Sequence, residues 1–75
     1  MREVLLFAVL AERAGTDRLL VADTADEAEL RVRIAAACPA LALLLPRCRC
    51  AVADAFVRGH LPPGPVALIP PVSGG

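Results

Sequence analysis

The chain is 75 residues long, carries a formal net charge of zero and is 57% hydrophobic and 21% charged. These values predict one small globular domain rather than a disordered chain, and zero net charge argues against nucleic acid as the main partner. No uninterrupted apolar run approaches the ~18 residues of a membrane helix, so we expect no membrane partner. The N-terminus opens directly into a strand pattern, so we expect no signal peptide. An odd number of cysteines, three, favours a reducing, cytoplasmic location.

The first half of the chain predicts two strands. Residues 3–10 form a nearly continuous apolar run, which is typical of a central strand covered on both faces. Residues 11–14 indicate a short helical or irregular piece. Residues 17–22 indicate a second strand, and we expect the two strands to pair antiparallel as a hairpin.

A helix is predicted to follow, beginning at Thr24. Thr24 is a good N-cap residue, and Glu27 three positions later completes a Thr-x-x-Glu capping box. The helix should end or bend at Pro39, because the residue before a proline disfavours helical geometry. Two i,i+4 ion pairs are expected on its surface, Glu27–Arg31 and Glu29–Arg33. The face expected to meet the core consists of Leu30, Ile34, Ala37, Cys38 and Leu41.

The second half predicts three more strands. A third strand spans residues 47–53, and residues 55–57 form a short fourth strand. The proline-rich residues 62–65 are a rigid connector to the last strand, residues 66–69, whose flanking prolines are tolerated at strand ends. The side chains expected to share one face of the third strand are Cys48, Cys50 and Val52.

Together these elements predict an α+β fold, a mixed sheet of about five strands packed against one main helix. The first and last strands are the most apolar, so we expect them to lie side by side and parallel at the centre of the sheet. One helix covers only one face of a sheet, and Phe7 and Ile69 are our candidates for the exposed apolar face. The alternative is that residues 40–45, or merely a twisted edge of the sheet, cover them.

Catalytic and metal-binding side chains are few. His60 is the only histidine, and its neighbourhood of glycine and proline is typical of a solvated loop. Zinc usually needs four ligands. The sequence gives no reason to expect that the fold brings together the four candidates, Cys38, Cys48, Cys50 and His60. We therefore expect no metal site. We also identify no pair of residues that could act as nucleophile and general base.

The last six residues, 70–75, are the most unusual stretch of the chain. Pro70 and Pro71 restrict the backbone to extended geometry, so the segment should leave the domain of residues 1–69 as a projecting arm. Gly74 and Gly75 have no Cβ atoms, and their backbone can thread a channel too narrow for side chains. The alternative is a loose terminus without function.

A terminal carboxylate on Gly75 would be the one group in an unusual chemical setting. As an anion it is a poor electrophile, so it must first be activated as an acyl adenylate or a similar anhydride. A sulfur nucleophile can then displace AMP and leave a thiocarboxylate, which carries a transferable sulfur atom. The chain contains no lysine, so it offers no side-chain amine to compete as acceptor.

Three stretches of the sequence resemble the molybdopterin synthase small subunit, a sulfur-carrier family in the MoaD/ThiS group of ubiquitin-like β-grasp proteins. They are Val-Leu-Leu-Phe-Ala at residues 4–8, Gly15-Thr16, and Val-Ala-Leu-Ile-Pro-Pro-Val-Ser-Gly-Gly at residues 66–75. The resemblance implies that an E1-like adenylyltransferase uses ATP and Mg to adenylate Gly75. It also implies that a sulfurtransferase then supplies the sulfur.

By the same resemblance, the arm inserts into the large synthase subunit and donates sulfur to cyclic pyranopterin monophosphate, forming molybdopterin. The chain itself then binds no cofactor and is a non-catalytic donor subunit. Phe7 and Ile69 match apolar interface positions, and the arm contributes Pro70, Pro71, Val72, Ser73 and Gly74 to partner binding.

Two positions depart from the family pattern, and three other functions stay open. The proline-rich connector 62–65 stands where relatives carry an acidic turn, and Ala11 stands where an arginine is common. The alternatives are a sulfur carrier for thiazole or tungsten-cofactor synthesis, a ubiquitin-like protein modifier joined through Gly75, and a plain binding module with an inert tail.

Overall fold

The computed structural model describes residues 1–71. It has two layers, a five-stranded sheet and a main helix that packs on one face of the sheet, as the sequence predicts. The strands are β1 (Arg2–Leu6), β2 (Arg18–Val21), β3 (Arg49–Val52), β4 (Ala55–Val57) and β5 (Val66–Ile69). The helices are α1 (Val9–Ala14) and α2 (Glu27–Ala37), and two single 3₁₀ turns, Pro39–Leu41 and Leu45–Arg47, follow α2. No helix within residues 1–71 is both long and apolar enough to cross a membrane.

The strand order in the sheet is β2-β1-β5-β3-β4. β1 and β5 lie side by side and parallel, with Leu6 opposite Leu68, and this confirms the expected central pair. All the other pairs are antiparallel, namely β1 with β2, β3 with β5 and β3 with β4. The last strand of the chain is therefore the middle strand of the sheet, held on both sides.

The first strand is shorter than the apolar run that predicts it. β1 ends at Leu6, and Val9 and Leu10 belong to α1 instead. The chain reverses at Ala8, whose φ is 50° and ψ is −125°, and the amide of Leu10 donates to the carbonyl of Phe7 at 3.0 Å. Leu10 is thereby buried under the sheet, so its apolar character reflects burial in a helix rather than in a strand.

Helix α2 begins two residues later than the capping box predicts. Asp26 is the N-cap, and its Oδ1 accepts a hydrogen bond from the amide of Ala28 at 3.1 Å. Thr24 instead accepts from the amide of Asp26, which shapes the turn that precedes the helix. The Glu27 carboxylate accepts from the amide of Gly59, a tertiary contact that draws it away from the box.

The core lies between α2 and one face of the sheet. Both ion pairs predicted on α2 are present, but Ala37 at its end is exposed and Cys38 is only half-buried, contrary to the expected core face. The predicted face of the third strand is confirmed, because its three side chains are buried. The core includes Val4, Leu6, Leu10, Leu30, Ile34, Leu41, Leu45, Cys48, Cys50, Val52, Leu61, Val66 and Leu68.

An arginine fastens the proline-rich connector to the sheet. Arg2 is 6% exposed, and its guanidinium donates to the carbonyls of Pro62, Gly64 and Thr24. Its Nε also lies 3.0 Å from the carboxylate of Asp23. Proline has no backbone N–H, so a proline-rich connector supplies few donors for its own carbonyl groups. These carbonyls therefore need a donor from another part of the chain.

Candidate functional site

The root of the C-terminal arm is attached to the middle of the sheet. Ile69 is the last residue of β5, half-buried, and it lies opposite Arg49 of β3. Pro70 is half-buried and Pro71 is exposed. The remaining predicted arm residues, Val72, Ser73, Gly74 and Gly75, lie outside the described residues. The arm therefore starts from a strand that neighbours hold on both sides.

The face of the sheet opposite α2 carries apolar side chains that no helix of residues 1–71 covers. Phe7 is 46% exposed, and the parallel register puts it beside Ile69, one step beyond the pair Leu6 and Leu68. Further along this open face, Phe56 is 56% exposed, and the guanidinium carbon of Arg49 lies 3.8 Å from its ring centroid. Phe7 and Arg49 thus flank Ile69 at the root of the arm, and Phe56 continues the same surface beyond Arg49 on the edge strand β4.

The segment of residues 40–45 does not cover this open face. Leu41 and Leu45 are buried in the core on the side of α2, where Val4, Leu6 and Leu68 also point. Leu43 is 91% exposed and points into solvent. Within residues 1–71, Phe7 and Phe56 on the open face therefore stay partly exposed.

The cysteines are unpaired, and two of them are buried thiols. Burial raises the pKa of the Cys48 thiol and raises that of Cys50 to about 11. A thiol with such a pKa is protonated at neutral pH and is a poor nucleophile. Within residues 1–71 no three His, Cys, Asp or Glu side chains group as metal ligands. His60 is exposed in the loop after β4.

The pair of Arg49 and Phe56 was not predicted from the sequence, although Arg49 lies opposite Ile69 at the root of the arm. Arg49 follows the buried Cys48 and precedes the buried Cys50, so strand alternation sends its side chain to the opposite face. That alternation was the available signal, but the pairing with β4 and β5 depends on register, which the sequence alone leaves open.

Comparisons with known proteins support the class of fold. A scan against protein-family models finds no match. A search of curated proteins likewise finds none. Among solved structures, SAMP1 from Haloferax volcanii matches with a TM-score of 0.78 and 28% identity, covering 99% of this chain and 98% of that one.

The molecule is an α+β protein with the β-grasp fold: a mixed sheet whose parallel central pair is formed by the first and last strands, crossed by one main helix. The likeness to SAMP1 covers 99% of this chain and supports the ubiquitin-like form of this fold.

Proposed function

We propose that this chain is a carrier whose C-terminal carboxylate, on Gly75, is activated by a partner enzyme and loaded with sulfur. The pathway we favour is molybdopterin synthesis, in which the chain is the small subunit of the synthase. The single observation that carries the proposal is that the arm continues directly from the middle strand of the sheet. The middle strand of a ubiquitin-like sheet, β5, runs directly into Pro70 and Pro71 and, in the sequence, on to Gly74-Gly75.

The proposed chemistry takes place on the terminal carbonyl carbon. An E1-like adenylyltransferase joins the Gly75 carboxylate to the α-phosphate of ATP, with Mg, and pyrophosphate leaves. A sulfide equivalent supplied by a sulfurtransferase attacks the acyl adenylate, AMP leaves, and Gly75 carries a thiocarboxylate. The catalytic side chains belong to these enzymes, and the carrier supplies the reacting carbonyl and the means to present it.

The positions of Phe7 and Ile69 support their proposed role in partner binding. Both lie on the open face beside the root of the arm. A partner that binds them would therefore bind the arm in one fixed orientation. A few large apolar side chains near the centre of an interface commonly contribute most of its binding energy. We therefore infer that the large synthase subunit and the adenylyltransferase both bind this surface.

Mass spectrometry of the intact protein tests the loading step. After incubation with ATP, Mg, an E1-like enzyme and a sulfur donor, we expect a mass gain of about 16 Da, because sulfur replaces one oxygen. The starting mass also reports whether Gly75 is the last residue of the mature chain. A variant that lacks Gly74 and Gly75 is the control and should gain nothing. An equal gain by that variant, or none by either chain, would count against the proposal.

A second test concerns the surface around the arm. Ile69→Asp should weaken binding to the large subunit by at least about tenfold, because it introduces a charge among apolar contacts. Leu20→Asp is the matched control, since Leu20 is an exposed apolar residue in the edge strand β2, away from the arm. Equal losses for the two variants would show that Ile69 is not at the contact.

The likeness to SAMP1 favours a second candidate, a ubiquitin-like modifier whose Gly75 is joined to lysines of other proteins. Both candidates use the same activated arm and the same cytoplasmic supply of ATP, so the fate of the loaded arm distinguishes them. Formation of molybdopterin from cyclic pyranopterin monophosphate, with the large subunit present, supports the synthase. Isopeptide-linked peptides ending in this chain's residues support the modifier.

A further inference from the structure

A groove lies at the outer edge of the sheet, between the start of α2 and the hairpin of β3 and β4. It has a volume of about 450 Å³. Four arginines and one glutamate line it, together with Cys48, Cys50 and Phe56. This groove is on the far side of the sheet from β2 and does not involve the described arm residues, Pro70 and Pro71.

Among the described residues, 1–71, acidic groups pair with only one of the four arginines of the groove. Arg31 is committed, because its guanidinium contacts the Glu27 carboxylate at 2.7 Å and the carbonyl of Cys48 at 2.8 Å. The other three arginines of the groove, Arg47, Arg49 and Arg58, are exposed. Within residues 1–71, four of the eight arginines make no ion pair. Three of those four are the exposed arginines of the groove.

The strand beside the groove has a free main-chain edge within the described part of the chain, residues 1–71. There β4 pairs only with β3, through a two-residue turn at Ala53 and Asp54, both with positive φ. In such a hairpin the residues next to the turn, Val52 and Ala55, form a hydrogen-bonded pair, and the next pair is not hydrogen-bonded. The N–H and C=O of Phe56 therefore point outward, away from β3.

We propose that this edge is a docking site for an extended acidic segment of a partner protein, which adds to β4 as a further strand. The main-chain groups of Phe56 pair with the backbone of the segment, and its carboxylates contact Arg47, Arg49 and Arg58. Strand addition gives affinity through the main chain and specificity through side chains. A second copy of this chain is a poor occupant, because pairing two β4 edges brings like charges together.

Two features distinguish this occupant from other anions. A free phosphate would use the guanidinium groups but has no use for an outward N–H and C=O spaced as in a strand. Nucleic acid would need a longer basic track than three exposed arginines on a chain of zero net charge. The segment would be short, because β4 has only three residues.

Nuclear magnetic resonance of the ¹⁵N-labelled full chain tests the proposal directly. The probe is the peptide acetyl-Asp-Val-Asp-Val-Asp-Val-amide, and the largest amide shifts are expected at residues 55–58. The lysine counterpart, acetyl-Lys-Val-Lys-Val-Lys-Val-amide, should give no response there. Equal responses to the two peptides, shifts centred elsewhere, or the same shifts with sodium phosphate alone would each overturn the proposal.

Variants separate the charge contribution from the main-chain contribution. The double variant R47Q/R58Q should weaken acidic-peptide binding about tenfold, as expected for two lost charge contacts. Arg13→Gln is the matched control, because Arg13 also makes no ion pair within residues 1–71 but lies outside the groove, and it should change binding less than twofold. Equal effects of the two changes would overturn the proposal.

Two substitutions at Phe56 test strand addition. Both Phe56→Ala and Phe56→Pro remove the ring, but only the proline variant loses the outward N–H, which an edge strand tolerates. We expect the proline variant to bind several-fold more weakly than the alanine variant, and equal binding by two folded variants would exclude the main-chain contact. A chain ending at Pro71 should bind as well as the full chain, so this result is independent of the proposed loading of Gly75.

Discussion

Alternate residues of the same strands form the two faces of the sheet. The two faces differ in how far the rest of the chain covers them. On the helix side, Val4, Leu6 and Leu68 are at most 2% exposed, so the chain completes that face by itself. On the open face, Phe7 and Phe56 are about half exposed. Stability therefore comes mainly from one face, and the fold does not depend on the other face, to which we assign partner binding as a proposal.

The neighbours Leu68 and Ile69 provide the largest test of this comparison, because they lie on opposite faces of β5. Leu68→Ala should lower the free energy of unfolding by about 3 kcal/mol, since it leaves a cavity at a fully buried position. Ile69→Ala should cost only about 1 kcal/mol, because that side chain is half-buried. Urea denaturation of both variants measures the difference. Equal losses would mean that the open face is part of the core.

Two arginines extend the comparison to charged groups. Arg2→Met should destabilise the fold by about 2 kcal/mol, because the carbonyls of Pro62 and Gly64 lose a buried donor. Arg18→Met should cost less than about 1 kcal/mol, since its ion pair with Glu3 on the open side is exposed to solvent. Thermal unfolding of the two variants checks this order, and a larger loss for Arg18 would contradict it.

Much of the fold follows from local patterns in the sequence. The strand Val66–Ile69 is bounded by prolines, and the helix ion pairs follow from i,i+4 spacing, so each could be predicted without knowing its neighbours. The parallel central pair followed from the apolar character of the first and last strands. Features that depend on such local sequence patterns are the ones that a single sequence predicts best.

The errors lie where tertiary contacts override local preference. Residues 9 and 10 are apolar because α1 buries Leu10, and a continuous apolar run does not distinguish a strand from a helix. Thr24 was a reasonable N-cap, but the contact between Glu27 and Gly59 competes with the capping box. The turn at Ala53 and Asp54 has positive φ at two residues that seldom adopt it, so no Asn-Gly signal marked the hairpin.

The candidate site was predictable in part. Residues 70–75 were notable from proline and glycine alone, and strand alternation put Phe7 and Ile69 on the face opposite the helix. Arg49 and Phe56 required the register of three strands, and the role of Arg2 required knowing that a connector 60 residues away would need donors. Such long-range partners leave no periodic trace in a single sequence.

The smallest expected effect concerns two carboxylates, one on each side of the sheet. Glu27 accepts from the amide of Gly59 at 2.8 Å and contacts Arg31, and these hydrogen bonds lower its pKa. A lowered pKa means that the unfolded chain takes up a proton first on acidification. The stability that Glu27 contributes is therefore full above its ordinary pKa of 4.5 and is lost as the pH falls through the lower folded value.

Glu27→Gln should accordingly cost about 1 kcal/mol at neutral pH, the usual scale for a hydrogen bond to a charged group at a partly exposed site. At about pH 3 the difference between this variant and the parent should shrink, because the parent's carboxylate is increasingly protonated. Glu3→Gln, which disrupts only the exposed pair with Arg18, is the control and should cost less at neutral pH. Urea midpoints at the two pH values measure both differences. If the Glu27 difference persisted unchanged in acid, the carboxylate charge would not be what joins the start of α2 to the loop at Gly59.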